Sequence, residues 1–297
     1  MKKLKPWFFL GLALVLNLNI EAQLRATSAP FISGDTFRSF SDHLYDETST
    51  IFNPELVSYG DVIFVKTDLI GDFFKNRHPY IKNPYVLITH NSDYAMPGPF
   101  REFLDDPKIL AWYAQNIEEY AHPKLINLPI GLANRYWEHG SIEVVNKVKS
   151  RVNEIARDHL IYLNIAVATY PKERAAVYEQ FKNQRCCFKG SPKPFEKYLE
   201  DIASCKFVLS PRGNGIDCHR TWEALYMGAI PVVKTSTLDP MYEGLPVVIV
   251  EDWNEVTEEF LERMYYEMSQ KTYSLERINA SYWYNELTKY KRDRLVY

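Results

Sequence analysis

Two kinds of stretch alternate along the chain. Short, nearly unbroken apolar runs at residues 61–66 and 85–89, with shorter ones at 108–113 and 125–128, have the length and composition of buried strands. A polar, helix-forming stretch follows at 141–158, and a second series then opens with an apolar run at 159–165. Pro171 suits the first turn of a helix that carries Arg174 and Val177 and ends near Asn183. Helical spacing puts Phe195, Tyr198, Leu199 and Ile202 on one stripe of a helix over 194–204. Residues 206–210 read as a strand, 218–227 as a helix, and 230–233 and 247–250 as two more strands, with a mostly helical tail from Trp253. Strand–helix–strand alternation on short connections means parallel sheets covered by helices. The chain is therefore α/β. Two such series, joined near residues 151–158, predict two domains (23–157 and 158–297) that face each other across a cleft.

Residues 1–22 stand apart. Lys2, Lys3 and Lys5 precede an apolar run over 7–20, and Ala22 offers a small residue for cleavage, the three-part pattern of a secretory signal. The run falls short of the roughly 20 residues that span a bilayer comfortably. Asn17 and Asn19 interrupt it, and both a cleaved signal and a retained anchor fit. Either one predicts that the rest of the chain lies beyond a membrane, touching it only through this segment if uncleaved. That means the secretory pathway: the Golgi lumen, as a type II membrane protein, in a eukaryote, or the periplasm or exterior of a bacterium.

Composition narrows the classes. At 46% hydrophobic and 25% charged, the 297 residues have ample core material. A net charge of −3 with no basic cluster excludes a nucleic-acid partner. Aromatics reach 14%, with 21 Tyr, and serve sugar- or nucleobase-binding surfaces as readily as a core. Cys186, Cys187, Cys205 and Cys218 lack metal-ligand spacing; an oxidising compartment would permit disulfides, with the pairing left open.

The informative stretch is residues 207–233, a strand, a glycine-containing loop from Arg212 through Gly213, Asn214 and Gly215, a helix, and a second strand. In parallel sheets, ligands gather where such loops leave the carboxyl ends of strands. Gly213 and Gly215 permit close backbone approach. Asp217 is a suitable N-cap for the following helix, whose free amides and dipole favour an anion such as a phosphate. Arg220 sits one turn in and can donate a fork of hydrogen bonds to phosphate oxygens. Glu223 lies three residues further on the same face and can accept from ribose hydroxyls. Arg174, with Lys172, adds positive charge from the start of the earlier helix. An ordinary strand–loop–helix unit with a surface ion pair has the same pattern.

The block resembles the C-terminal motif of exostosin-type glycosyltransferases. Cys218-His219-Arg220-Thr221-Trp222-Glu223-Ala224 and Met227-Gly228-Ala229-Ile230-Pro231-Val232-Val233 stand where that family has a Ser-Pro-Arg-x-x-Glu-Ala-like helix followed by small-residue-Gly-x-x-Pro-Val. The resemblance implies a GT-B-like fold of two Rossmann-like domains, with the donor bound by the C-terminal one. It also implies that Arg220 and Glu223 bind the diphosphate and ribose of a nucleotide-sugar donor. Cys218-His219 departs from the family's frequent Ser-Pro. The donor set on this reading is Arg174, Arg212, Gly213, Asn214, Gly215, Asp217, His219, Arg220 and Glu223.

Across the cleft, three polar clusters each follow a strand: His90-Asn91-Ser92-Asp93, Gln115-Asn116, and Asn134 with Trp137 and His139. Transfer to a hydroxyl needs a proton acceptor, and Asp93 and His90 are the candidates, Asp93 first. Asn91, Gln115, Asn116, Asn134, Trp137 and His139 would form the acceptor side, with Trp137 as a sugar platform. Turn and cap roles account for the same residues. No Asp-x-Asp triplet is present to hold a metal against a diphosphate, so no metal or cofactor is expected and the nucleotide sugar is a substrate. The reaction expected is transfer of a sugar to a glycan or glycoconjugate hydroxyl. A fucosyltransferase-like enzyme and a non-catalytic carbohydrate-binding protein are the alternatives.

Overall fold

The structure is a computed structural model that describes residues 25–49, 51–118 and 120–292. The expected signal at residues 1–22 lies outside the described residues. No helix among the described residues is long and apolar enough to cross a membrane.

Ten strands form two parallel sheets. In the first, β1 (His43–Tyr45), β2 (Val62–Lys66), β3 (Tyr85–His90), β4 (Ile109–Ala114) and β5 (Leu125–Asn127) pair in sequence order. The second holds β6 (His159–Leu163), β7 (Cys187–Lys189), β8 (Cys205–Leu209), β9 (Ile230–Lys234) and β10 (Val248–Val250), in the order β10-β9-β8-β6-β7. Two parallel five-stranded sheets are compatible with a GT-B-like fold. The helices are α1 (Gly34–Phe40), α2 (Ile70–Asn76), α3 (Ile142–Lys149), α4 (Pro171–Phe181), α5 (Phe195–Ala203), α6 (His219–Tyr226), α7 (Glu258–Ser269) and α8 (Ala280–Arg292).

The period-2 geometry of a strand sends successive side chains to opposite faces, and both sheets are apolar on both. Val62, Phe64, Val86 and Ile88 join Tyr162, Val208 and Trp222 in one core that runs between the two sheets. Ile63, Val65, Tyr85 and Leu87 pack on the outer face of the first sheet, and Ile161, Leu163, Phe207 and Leu209 on the outer face of the second. That is why the strands read as continuous apolar runs rather than alternating ones.

The topology of the second sheet fixes where a ligand can enter. From β6 the chain steps outward to β7, then returns to the other side of β6 as β8. Connections leave β6 and β8 in opposite directions, which opens a crevice at their carboxyl ends.

Two segments differ from the sequence reading. The helix expected over 141–158 ends at Lys149, where the Ser150 hydroxyl donates back to Lys147 O (2.9 Å) and competes for the helix's own acceptors. The C-terminal helix α8 does not stay with the second sheet. It returns to the first, where Trp283 meets Phe37 edge-on (6.2 Å between ring centres) and Tyr113 donates to Glu286 O (3.3 Å). Gly60, with φ +77°, lets this helix approach, since a Cβ there would stand 3.0 Å from Tyr290 O.

Candidate active site

The crevice between β6 and β8 opens into a cavity of about 500 Å³. That volume falls in the range of small-molecule sites. Three loops leaving carboxyl ends of strands line it: Asn164 and Thr169 after β6, Ser191 to Lys193 after β7, and Gly213 to Cys218 after β8. His219, Arg220 and Glu223 of α6 line it too, with Tyr198 of α5 and with Asp93 and His139 from the other half.

Helix α6 is buried from Thr221 to Tyr226 because it runs between the two sheets. At its far end the Tyr226 hydroxyl accepts from Ile32 N (2.9 Å) and donates to Ile278 O (2.6 Å), bonds that fix the helix to both halves of the chain. Gly228, at φ +70°, ends it in the left-handed conformation that glycine adopts without strain, and Ala229 N reaches back to Ala224 O (2.9 Å). The first-turn amides of such a helix have no acceptor within it.

Arg220 and Glu223 both line the cavity. Glu223 is buried and accepts from the Tyr198 hydroxyl (2.7 Å); burial raises its pKa, against the pull of that bond and of Arg220. Arg220 makes no hydrogen bond and no close ion pair with any described residue, and its Nε is buried without a partner. Burial opposes its charge, but Tyr198, Cys218 and Glu223 favour it, and its pKa lies above the ordinary guanidinium value. A cation that keeps its proton and lacks partners is costly in partial burial, and an anion entering the cavity relieves the cost.

The other expected donor residues divide. Gly213, Asn214 and His219 line the cavity. Arg174, expected to turn its charge toward the donor, lies at the cavity wall with its side chain held by the protein. It is buried and spends its guanidinium on Arg212 O (2.7 Å), Ala166 O (3.1 Å), Thr169 Oγ1 (2.6 Å), Pro211 O (3.0 Å) and Cys218 Sγ (3.5 Å). It holds the β8 loop in shape and leaves an uncompensated positive charge behind it. Arg212 points elsewhere: it donates to Glu118 Oε1 (2.8 Å) on the other half and lies 4.6 Å over the Tyr170 ring.

Asp217 and Gly215 also serve the interface between the halves. Cys218, not Asp217, is the helix N-cap, and it makes no side-chain cap bond. The buried Asp217 carboxylate accepts from Ile130 N (2.8 Å), Cys218 N (2.8 Å) and Trp222 Nε1 (2.9 Å), and burial pushes its pKa up to about 6. At Gly215 a Cβ would stand 2.6 Å from Asn116 Nδ2, so the residue is small to admit Asn116.

On the facing side, a smaller cavity of about 250 Å³ is lined by Asn91, Asp93, Gln115, Asn134 and Trp137, and it shares Asp93, Ile130 and His219 with the larger one. Asp93 is exposed and accepts from Asn214 Nδ2 (3.2 Å) across the cleft. Asn91 holds φ +61° and accepts from Asn134 Nδ2 (3.1 Å), while Gln115 Oε1 accepts from Asn91 N (3.1 Å). Trp137, half exposed, stacks on His139 (5.9 Å between ring centres), and His139 reaches the larger cavity.

Two expectations on this side are corrected. Asn116 lines neither cavity; it is fully buried, donating to Ser92 O (3.1 Å) and accepting from Asp217 N (3.2 Å), and it ties the halves together. His90 is buried with both nitrogens engaged. Nε2 faces Pro129 O (3.1 Å), which can only accept, so Nε2 carries the hydrogen and Nδ1 accepts from Asn91 N (2.8 Å). Burial lowers its pKa to about 4. A ring held this way has no lone pair left for an incoming hydroxyl.

Residues 169–297 match the family model for the RXYLT1 C-terminal domain. The match takes in α4 through α8, and with them Arg220, Glu223 and the β8 loop. It agrees with the exostosin-type resemblance of the motif, and an RXYLT1 C-terminal domain implies a glycosyltransferase-like function. No curated protein matches the chain.

The sequence reading passed over Asn164, Thr169, Lys193 and Tyr198, all of which line the larger cavity within or beside the RXYLT1-type segment. Asn164 interrupts the apolar run at 159–165, and because the strand ends at Leu163 the rule of carboxyl ends applies to it. The β7 loop carries no such signal, because three-residue β7 is too short to show a period. Among the described residues, no three His, Cys, Asp or Glu side chains group to hold a metal ion.

Proposed function

We propose that this chain transfers a sugar from a nucleotide diphosphate donor to a carbohydrate or glycoconjugate hydroxyl. The observation that carries this reading is Arg220, a partly buried guanidinium without a hydrogen-bond partner, in a cavity at the first turn of α6 and at the switch point of a parallel sheet. The donor's diphosphate lies against Arg220 and the free amides of the helix, in the positive field that Arg174 adds from behind. Glu223, one turn on, takes the ribose hydroxyls. In the transition state, negative charge grows on the departing nucleotide, and fixed positive groups that need no rearrangement stabilise it. Arg220 and the helix do this without a metal, so turnover persists in EDTA. The acceptor enters from the smaller cavity, with Trp137 as a platform for a sugar face.

The secretory signal read in residues 1–22 would deliver the domains to a compartment beyond a membrane. The test is thermal stabilisation of the purified chain by a panel of nucleotides and nucleotide sugars, since a ligand that binds only the folded state raises its melting temperature. Stabilisation by one diphosphate-bearing family supports the reading and names the donor class. Absence of any shift across UDP, GDP and their sugars sinks it and leaves a glycan-binding protein as the reading.

A further inference from the structure

A transferase of this kind must give the acceptor hydroxyl's proton somewhere to go. Of the two candidate bases named from sequence, His90 is locked and Asp93 stands exposed at the rim. A third group occupies the place where the two cavities meet. His219 lines both of them, together with Asp93 and Ile130.

The hydrogen bonding of His219 defines its chemistry. Nδ1 lies 2.7 Å from Gly131 O, and a carbonyl can only accept, so Nδ1 carries the hydrogen. The neutral ring therefore keeps its lone pair on Nε2, which has no hydrogen-bond partner among the described residues. An imidazole fixed through one nitrogen by a backbone carbonyl and free at the other is the arrangement that histidine bases use. Gly131, at φ +66°, has no room for a side chain, because a Cβ would stand 2.3 Å from Ile32 O, and the carbonyl that orients the ring is held firmly. The charges acting on the ring come from both halves: Asp93 favours its protonated form, and Arg220 disfavours it. His90, buried nearby, is neutral in the bonding described above.

We infer that the smaller cavity receives the acceptor and that His219, at its junction with the donor cavity, is the catalytic base; the inference rests on the transferase reading. The acceptor oxygen attacks the anomeric carbon and forms the new glycosidic bond. The bond from that carbon to the donor's phosphate oxygen breaks, and its electron pair leaves with the nucleoside diphosphate. The acceptor's proton passes to His219 Nε2. Asp93 then faces an imidazolium and stabilises it, while Arg220 faces the leaving diphosphate. Burial lowers the pKa of His219, which keeps the ring neutral and ready near pH 7. The attack on the side opposite the leaving group gives inversion at the anomeric carbon.

The test compares the full chain with His219→Asn, His219→Ala and Asp93→Asn, using the UDP- or GDP-sugar that stabilises the wild type and a panel of methyl glycosides as acceptors. Asparagine can keep the bond to Gly131 O but has no basic nitrogen at the Nε2 position. His219→Asn should bind the nucleotide within about threefold of wild type while turnover falls by about 10²- to 10⁴-fold, the usual worth of a general base. His219→Ala should recover part of its rate when imidazole is added, a response that a merely structural histidine would not give. Wild-type-like turnover in His219→Asn overturns the assignment, as does a folded, nucleotide-binding His219→Ala that imidazole does not help. Loss of turnover in Asp93→Asn alone, with His219→Asn active, moves the base to Asp93. A wild-type chain that binds no nucleotide sugar refutes the transferase reading itself, and the base with it.

Discussion

Replacing Arg220 by alanine should separate ligand binding from folding more cleanly than any other change in the cavity. The guanidinium makes no hydrogen bond to the described protein, so its loss removes no native contact of that kind, and the buried Nε without a partner disappears with it. The folded state should lose little. Against a diphosphate the outlook is different. A hydrogen bond to a charged group contributes roughly 1.5–3 kcal/mol, and a bidentate fork therefore about 3 kcal/mol, or roughly a 150-fold loss in affinity. At a nucleotide concentration about 100 times its dissociation constant, the wild type gains about 2.7 kcal/mol of stability; the variant at the same concentration gains about 0.3 kcal/mol. For a protein of this size that is a melting shift of roughly 4 °C against about 0.5 °C. Isothermal titration with the nucleoside diphosphate and with the bare nucleoside checks the cause. The diphosphate should lose its affinity and the nucleoside should keep what it has. Equal loss for both, or no loss for either, refutes the placement of the phosphates on Arg220.

Two further predictions concern the joint between the halves. Gly215→Ala forces a methyl to within 2.6 Å of the Asn116 amide; it should cost about 1–3 kcal/mol, read as a lower urea midpoint and partly recovered by adding Asn116→Ala. Asp217 has its pKa raised from 3.8 to about 6, mainly by burial. A carboxyl whose folded pKa exceeds its unfolded one favours the fold when protonated, so this contribution is fully present below about pH 3.8 and is lost as pH rises through about 6. Two units correspond to about 3 kcal/mol, and the slope of stability against pH between 4 and 6 should differ in Asp217→Asn by that sense and order.

Much of this arrangement is legible in the chain because burial writes itself as unbroken apolar runs. The runs that became β2, β3, β6, β8 and β9 are strands covered on both faces, and each prediction fell within a residue or two of the strand found. The motif on α6 was legible for another reason: it sets an arginine and a glutamate three residues apart at helical spacing, and the RXYLT1-type match covers the same residues. What was not legible is which polar residues face the cavity and which face the partner half. Arg212 and Asn116 have the composition of a ligand site yet lie outside both cavities and hold the two halves together, while Asp217 and Gly215 border the larger cavity and are tied to the other half as well. Contacts between residues about a hundred positions apart leave no periodic trace. His90 and His219 show the same limit in reverse: one ends an apolar run and the other follows a glycine-containing loop, and only the carbonyl each one meets, Pro129 or Gly131, decides which nitrogen remains free.

The most direct measurement is sugar transfer itself. The purified chain is incubated with UDP- and GDP-sugars and a panel of glycan acceptors in the presence of EDTA, and products are followed by mass spectrometry together with nucleoside diphosphate release. The account predicts one donor class, an acceptor gaining the mass of one sugar residue, and one diphosphate released for each sugar moved. Tight glycan binding with no mass gain and no diphosphate from any donor would contradict it, and so would transfer that stops in EDTA and returns only with a divalent metal.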